Sequence, residues 1–296
     1  MSFNTLIKNA ILTPFNLLYR VSPKLNAQVL FRLKTGKKLH LDAPRTYNEK
    51  LQWIKLYDRN PLMPVCVDKF TVREYVKDKG LGRLLNELYW HGDDPAAIPY
   101  DALPNQFVLK VTHGSGFNIL VHDKAALDRE QTRRRLARWL SFNYLPCYGE
   151  WFYGKVRPSV IAEEMLFNNG ESGGLDDYKI YCFNGVPRYI SIDSGRQGKT
   201  HYKDIYDAGW NLQRGCEMAY PASGAAVPPP PCLAELLEYA RVLSEDFLHA
   251  RVDFYVVRGR PVFGEITFAN SAGFGRVSPE SFALQMGDYL RLPTEK

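Results

Sequence analysis

The sequence predicts an α+β fold with largely antiparallel sheets, stacked as two layers around a cleft. Two hairpin signals carry most of that prediction. Asn184-Gly185 separates two strand-like runs, and Arg258-Gly259-Arg260 separates two apolar-alternating ones. The third observation is helical periodicity, concentrated in the first 64 residues and again after a proline run at 228–231.

Taken in order, residues 1–64 read as mostly helical, with an amphipathic helix over 47–57. A further helix is expected over 67–79, ending toward Gly80, and a buried strand over 106–111. Residues 125–143 read as a helix whose Arg133, Arg134, Arg135 and Arg138 form a solvated face. Strands follow at 159–163, 177–183 and 187–193. The prolines at 228–231 make a stiff connector to an amphipathic helix over 232–249. The second hairpin comes next, and a short helix at 278–292 closes the chain. The expected division is an N-terminal helical, basic segment (1–64) and a main domain (65–296) with parts 65–166 and 167–296.

At 296 residues with 45% hydrophobic side chains, the chain can bury a large core. No stretch is long and apolar enough to span a bilayer. Asn9, Pro14 and Asn16 interrupt what would be a signal peptide's apolar segment, so a cytoplasmic location is expected. Cys66, Cys147, Cys182, Cys216 and Cys232 are scattered without CxxC spacing and read as reduced thiols, neither a disulfide framework nor a zinc site.

The net charge of +6 is unevenly placed. Lys8, Arg20, Lys24, Arg32, Lys34, Lys37 and Lys38 precede the first acidic residue, Asp42. Leu6, Ile7, Ile11, Leu12, Phe15, Leu18 and Val21 have broadly helical spacing there, with a break expected near Pro14. Two readings stand: a peripheral contact with the anionic inner face of the cytoplasmic membrane, or a helix packed on its own domain. The rest of the chain is near neutral and carries no recognition motif, which argues against nucleic acid as a partner.

The stretch from Arg251 to Asn270 carries most of the chemistry. A hairpin symmetric about Gly259 sets Asp253 opposite Glu265 and Arg251 opposite Thr267, with Arg251, Asp253 and Tyr255 on one face. Facing carboxylates, about 5 Å apart at Cβ, repel unless something positive lies between them. That is either a divalent cation held by oxygen ligands or one of Arg251, Arg258 and Arg260 on a surface hairpin. A second segment, Phe107-Val-Leu-Lys-Val-Thr-His-Gly-Ser-Gly-Phe117, presents Lys110 on a strand and then a Gly-rich turn whose amides can approach a phosphate. It lacks the Gly-Lys-Ser/Thr of a P-loop. A third, Val160-Ile-Ala-Glu-Glu-Met-Leu166, carries two consecutive carboxylates, only one of which can face a cleft.

In this order, the three segments resemble the ATP-grasp enzymes, and within them the TupA-like branch of teichuronopeptide biosynthesis. Tyr47-Asn-Glu-Lys-Leu-Gln-Trp53, Asp68-Lys-Phe-Thr-Val-Arg-Glu-Tyr-Val76, Asp177-Tyr-Lys-Ile-Tyr-Cys-Phe-Asn-Gly185 and Phe263-Gly-Glu-Ile-Thr-Phe268 carry the branch resemblance, which spans roughly residues 30–275. It implies two α+β subdomains clasping ATP. By this resemblance Lys69 and Lys110 contact the nucleotide's phosphates, and His113, Gly114, Ser115 and Gly116 form the loop over them. Glu163, Glu164, Met165 and Leu166 read adenine, Asp177 stands near the ribose, and Lys179 is a neighbouring cleft residue. Asp253 and Glu265 match the Mg²⁺ ligands, and Arg251 matches the arginine that stabilises the transferring phosphoryl group. The third ligand of the pattern is usually Asn; Thr267 stands there, with Asn270 as a substitute, leaving one or two ions implied.

The implied activity is ATP-dependent ligation of a carboxylate to an amine through an acylphosphate. The implied substrates are an acidic sugar (a uronic acid) of a bacterial capsule or surface polysaccharide, and an amino compound. Arg196, Lys199, His201 and Tyr202, leaving a strand on a Gly-containing loop, read either as carboxylate or sugar ligands or as a solvated loop. The competing activity is a polysaccharide glycosyltransferase or sugar kinase that uses a nucleotide donor and Mg²⁺.

Overall fold

The computed structural model describes residues 3–114, 116–142, 144–167, 177–194 and 201–293. Helix α1 (Phe3–Val21) continues through Pro14 without the expected break. Proline removes one intrahelical bond there, while Leu12 anchors the helix against Leu30 and Cys147. In α2 (Pro23–Thr35), Ser22 accepts from the Leu25 amide and Gly36 ends the helix with φ 72°. A capping box between Thr46 and Glu49 opens α3 (Tyr47–Tyr57).

The single helix expected over 67–79 is two, α4 (Leu62–Val67) and α5 (Val72–Asp78). Asp68 Oδ1 accepts from the amides of Phe70 and Thr71, each at 2.8 Å, and this turn outcompetes helical continuation. Next come β1 (Leu88–Gly92), β2 (Phe107–Val111), β3 (Asn118–Val121), α6 (Arg129–Leu140) and β4 (Val160–Glu164). The α6 helix begins later than expected because Asp128 caps the Gln131 amide. The remaining elements are β5 (Asp177–Phe183), β6 (Val186–Ser194), β7 (Tyr202–Asp207), β8 (Glu217–Met218), α7 (Leu233–Ser244), β9 (His249–Val257), β10 (Arg260–Thr267), β11 (Val277–Ser278) and α8 (Glu280–Tyr289). Helix α7 stops short of the expected residue 249, since His249 already belongs to a strand.

A four-stranded sheet runs β1-β4-β2-β3, a five-stranded one β10-β9-β5-β6-β7, and β11 pairs with β8. All these pairings are antiparallel. Around the first sheet, Phe107, Leu109, Val111, Val160 and Ala162 pack with Leu136 and Trp139 of α6. The five-stranded sheet is divided by side-chain alternation. Ile180, Cys182, Val252 and Phe254 share a core with Leu236, Ala240 and Leu243 of α7. On the opposite face, Phe183 and Tyr189 meet Tyr47, Phe282 and Tyr289 from α3 and α8. Farther along the strands that same face turns polar with Asp177, Lys179, Arg251 and Asp253.

The five cysteines are unbridged. Among the described residues no helix is long and apolar enough to cross a membrane.

The aromatic plug fixes the covered end of this face, with Phe282 only 2% exposed and its ring 5.2 Å from that of Tyr189. Phe282→Ala is expected to cost about 3–5 kcal/mol, the usual loss for emptying a buried aromatic site. The shift in urea midpoint at unchanged slope measures it.

Candidate active site

The second hairpin delivers the side-chain pairing expected from the sequence, by a different route. A two-residue turn at Arg258 and Gly259 (φ 51° and 74°) starts the ladder with Arg260 opposite Val257. Left regular, that ladder would set Gly264 opposite Asp253. A bulge at Gly264 shifts the count, so Glu265 faces Asp253 and Thr267 faces Arg251. Glycine is required there, since a Cβ would lie 2.9 Å from the Asp253 carbonyl oxygen.

Arg251 grips Asp253 through Nε (2.7 Å) and Nη2 (2.6 Å) and also reaches Glu265 (3.3 Å) and Thr267 Oγ1 (3.2 Å). From β5, Lys179 donates to Asp177 at 2.6 Å and to Asp253 at 2.8 Å. Burial pushes the Asp253 carboxyl up, but Arg251 and then Lys179 outweigh it and hold the group below its ordinary range. Burial opposes the charge on Arg251 and Lys179 as well, yet Asp253 leaves both above their ordinary values. The cations that neutralise the facing carboxylates are thus Arg251 and Lys179; Arg258 and Arg260 sit exposed at the turn.

These carboxylates also fit a metal. Among the described residues, no group of three or more His, Cys, Asp or Glu side chains could cage an ion. Mg²⁺ does not require one, because it takes one or two carboxylates and completes its octahedron with phosphate oxygens and water. Asp253 and Glu265, paired across two strands, would be those carboxylates, with Asp253 giving up a hydrogen bond to Arg251 or Lys179 to take the ion.

Asn270 lies just past β10, and hydrogen-bond accounting fixes how its amide is turned. Tyr47 Oη is 2.9 Å from His249 Nε2 and 2.6 Å from the Asn270 atom assigned as Oδ1. Burial drives the His249 imidazole down to about 4, so it is neutral at pH 7. Its Nδ1 faces the Phe268 carbonyl at 2.9 Å, which can only accept, so the ring proton is on Nδ1. Tyr47 must then give its one hydroxyl proton to Nε2. The Asn270 atom against Tyr47 has to be the NH₂ donor, which frees the amide oxygen from Tyr47.

The four-stranded sheet supplies the facing wall. Lys110 on β2 pairs with Glu163 on β4. Lys69 Nζ donates to the Gly114 carbonyl at 2.6 Å, and burial lowers the lysine, with Glu265 partly restoring it. His113 donates from Nε2 to the Phe142 carbonyl at 3.0 Å. Gly114 is packed by Phe117, whose ring would lie 2.5 Å from an added Cβ. Ser115, in the middle of this loop, lies outside the described residues.

The two walls enclose a cavity of about 520 Å³ bordered by Lys69, Lys110, Gly116, Glu163, Leu166, Asp177, Lys179, Arg251, Asp253, Glu265 and Asn270. Residues from three separate sequence motifs therefore meet in one cleft. Thr267 instead borders an adjoining cavity of about 340 Å³, which shares Lys69, Arg251, Glu265 and Asn270 with the first. His113 and Gly114 border the second cavity only. Of the consecutive carboxylates, Glu163 faces the cleft, while Glu164 is exposed and accepts from the Glu87 amide at 3.3 Å. Met165 is buried at 4% exposure.

Arg196 and Lys199 lie outside the described residues. His201 Nε2 sits 3.2 Å from Asp193 and borders the larger cavity. Tyr202 belongs to strand β7, not to a loop, and does not border that cavity. Asp193 and Lys203, 2.9 Å apart, complete the charged face and were not singled out from the sequence. In β6 alternation gave a partial signal, with Ser191 and Asp193 each following an isoleucine, while in β7 Lys203 stands beside Asp204 and alternation does not single it out.

The His249 geometry sets a pH dependence. The folded-state value of about 4 lies below the unfolded value of about 6.5. The unfolded chain therefore binds the extra proton between those limits, and stability falls as pH drops from 6.5 toward 4. The expected contribution is about 3 kcal/mol. Urea unfolding at pH 7 and pH 4.5 should show a smaller acid loss in His249→Asn than in the parent chain.

A family model described as TupA-like ATPgrasp matches residues 49–291. No curated protein matches the chain in sequence. Among solved structures, the chain is similar to D-alanine–D-alanine ligase from Bacillus anthracis complexed with ATP, at 14% identity and TM-score 0.43 over 69% of this chain and 55% of that one. It is also similar to D-alanine–D-alanine ligase from Helicobacter pylori (13% identity, TM-score 0.45, 82% and 69%). An L-amino acid ligase from Bacillus licheniformis gives 14% identity and TM-score 0.44 over 80% and 49%. The chain thus spans about half the length of the first of these structures. The family match runs from α3 through both sheets, including the hairpin that carries Arg251, Asp253 and Glu265, to the end of α8, and the chain belongs to the TupA-like ATP-grasp family.

Proposed function

We propose that this chain is an ATP-dependent carboxylate–amine ligase that modifies an acidic sugar, a uronic acid of a capsule or surface polysaccharide, with an amino compound. The observation that carries the proposal is the meeting of Lys69 and Lys110 with Arg251, Asp253 and Glu265 around one cavity large enough for a nucleotide. ATP and a carboxylate repel each other, so their approach needs positive charge placed in advance. Lys110 from the four-stranded sheet and Lys69 from the turn between α4 and α5 face the nucleotide phosphates on one side, and Arg251 faces the transferring group from the five-stranded sheet. Mg²⁺ held by Asp253 and Glu265, with Asn270 or Thr267 as a neutral ligand, would screen the phosphate oxygens when bound.

In the proposed reaction the acceptor carboxylate attacks the γ-phosphorus and the bond to ADP breaks, giving an acylphosphate. The amine then attacks the acyl carbon, phosphate leaves, and the nitrogen loses a proton as the amide forms. The protein aligns these groups and excludes water that would hydrolyse the acylphosphate.

The N-terminal segment supports a peripheral membrane contact. Ile11, Leu17 and Val21 of α1 are 61%, 56% and 84% exposed, beside the basic residues of α1 and α2. Such a pairing suits an anionic membrane surface close to polysaccharide assembly.

Purified protein with ATP, Mg²⁺ and paired uronic acids and amines should release phosphate only when both co-substrates are present. Asp253→Asn or Glu265→Gln should slow that release by about 100-fold or more, the usual loss of an electrostatic catalytic group. Thermal protection by UDP-glucose but not by ATP would overturn the ligase reading in favour of a nucleotide-sugar transferase. In a separate assay, the chain should co-sediment with phosphatidylglycerol vesicles and not with phosphatidylcholine ones. Leu17→Asp with Val21→Asp should abolish that sedimentation; equal binding by this variant would exclude the membrane contact.

A further inference from the structure

The 340 Å³ cavity lies between two other spaces and shares lining residues with each. Where it joins the larger cleft the two share Lys69 and Arg251 with one carboxylate, Glu265, so cations are in excess on that border. Away from that junction it meets a third, more open cleft of about 460 Å³, sharing Tyr148, Glu150, Ser271 and Ala272 with it. Lys34 and Phe274 border this outer cleft. The three spaces therefore lie in series, and Ser271 borders all of them.

Two acceptors on the border of the middle chamber are unfilled. The His113 ring donates from Nε2 to the Phe142 carbonyl, so its Nδ1 carries a lone pair, and that buried nitrogen has no partner among the described residues. His113 is 9% exposed. The half-buried Glu150 carboxylate borders the same chamber and makes no hydrogen bond or close ion pair with a described residue. Lys55, the nearest cation felt by Glu150, is spent on the carbonyls of Tyr148 (2.7 Å) and Ala272 (2.6 Å). The rings of Phe142, Tyr144, Tyr148 and Tyr153 supply the remaining walls.

We infer that this chamber is the binding site of the amine co-substrate, which enters past Lys34 and is held as a primary ammonium by Glu150 and His113 Nδ1 against the tyrosine rings. The inference rests on the ligase reading for the role of the amine, and on the chamber's own chemistry for its identity. A ligand that fills acceptor valences must donate, and aromatic walls favour a cation over an anion. Burial pushes the Glu150 carboxyl up and Lys55 offsets this only in part, so a second cation beside it favours the ionised form. The order of charges along the series also suits the chemistry. Phosphate and carboxylate would lie at the Lys69–Arg251 end, and the amine would approach from the other, becoming nucleophilic once its ammonium passes a proton to Glu150 or His113 Nδ1.

The test is binding to the full chain, read by ligand-observed NMR with n-butylamine, n-butanol and butyrate as probes. The amine should bind saturably and the alcohol and acid should not. Glu150→Gln should weaken the amine by about 10-fold or more, the loss of one charged hydrogen-bond partner, and Glu150→Asp should recover part of it. ATP binding should be unchanged in both variants, which also reports that they fold. Butyrate binding in place of the amine, amine binding insensitive to Glu150, or no amine binding overturns the assignment. Glu150-dependent amine binding with no phosphate release from any acid–amine pair would instead overturn the ligase reading and leave the amine site standing.

Discussion

The buried exchange of charge between Arg251, Asp253 and Lys179 is the constraint around which the cleft is organised. Removing any one of these groups strands its partners in a poorly hydrated sheet face, and breaking such a pair usually costs several kcal/mol. The interaction spans two strands that pair directly, since Lys179 on β5 lies opposite Asp253 on β9. It therefore links register to electrostatics: a slip of one residue would send the cations to the α7 side and apolar residues to the cleft. Asp177, Asp193 and Lys203 extend the same alternation of sign, which keeps a dense set of charges close to local neutrality.

Helix α3 has a role that its sequence periodicity does not announce. Its apolar side joins the core, but its polar residues clamp the segment from Asn270 to Gly275. Asn48 Nδ2 donates to the Gly275 carbonyl at 2.7 Å, and Gln52 Nε2 donates to Ala272 and Gly273 at 3.1 and 3.0 Å. With Lys55 and Tyr47 these bonds hold Ser271 and Ala272 at φ 51° and 52°. Two consecutive non-glycine residues in that region cost on the order of 1–3 kcal/mol each, so the clamp must over-determine them. The motif from Tyr47 to Trp53 thus acts on the cleft from outside it.

Much of the fold was legible because its signals are local. Asn184-Gly185 and Arg258-Gly259 state their hairpins within a few residues, and alternation across the second set Arg251, Asp253 and Glu265 on one face. Symmetry about Gly259 predicted the correct partners although the turn is shorter, because the bulge at Gly264 supplies the missing residue. What the sequence did not reveal depends on distant contacts or on competition between local bonds. Strands β1, β3 and β7 are short segments whose pairing partners, not their composition, make them strands. Asp68 splits a helix by capturing two amides that periodicity assigns to the helix. Asp193 and Lys203 join the charged face only when β6 and β7 are laid beside β5, and Glu150 acquires a setting only when its loop meets α3.

The left-handed pair at Ser271 and Ala272 has a consequence for how such a protein diversifies. These two side chains wall the spaces where substrates would meet, yet neither carries a charge or contributes to the Arg251–Asp253–Lys179 network. Because α3 holds this turn through the Ala272 and Gly273 carbonyls, the clamp's hydrogen bonds use neither side chain, and only the positive φ restricts which residues can stand there. Part of the cavity wall is therefore set by residues outside the ionic network, and exchanging these two small neutral side chains would reshape it while Arg251, Asp253 and Lys179 stay fixed.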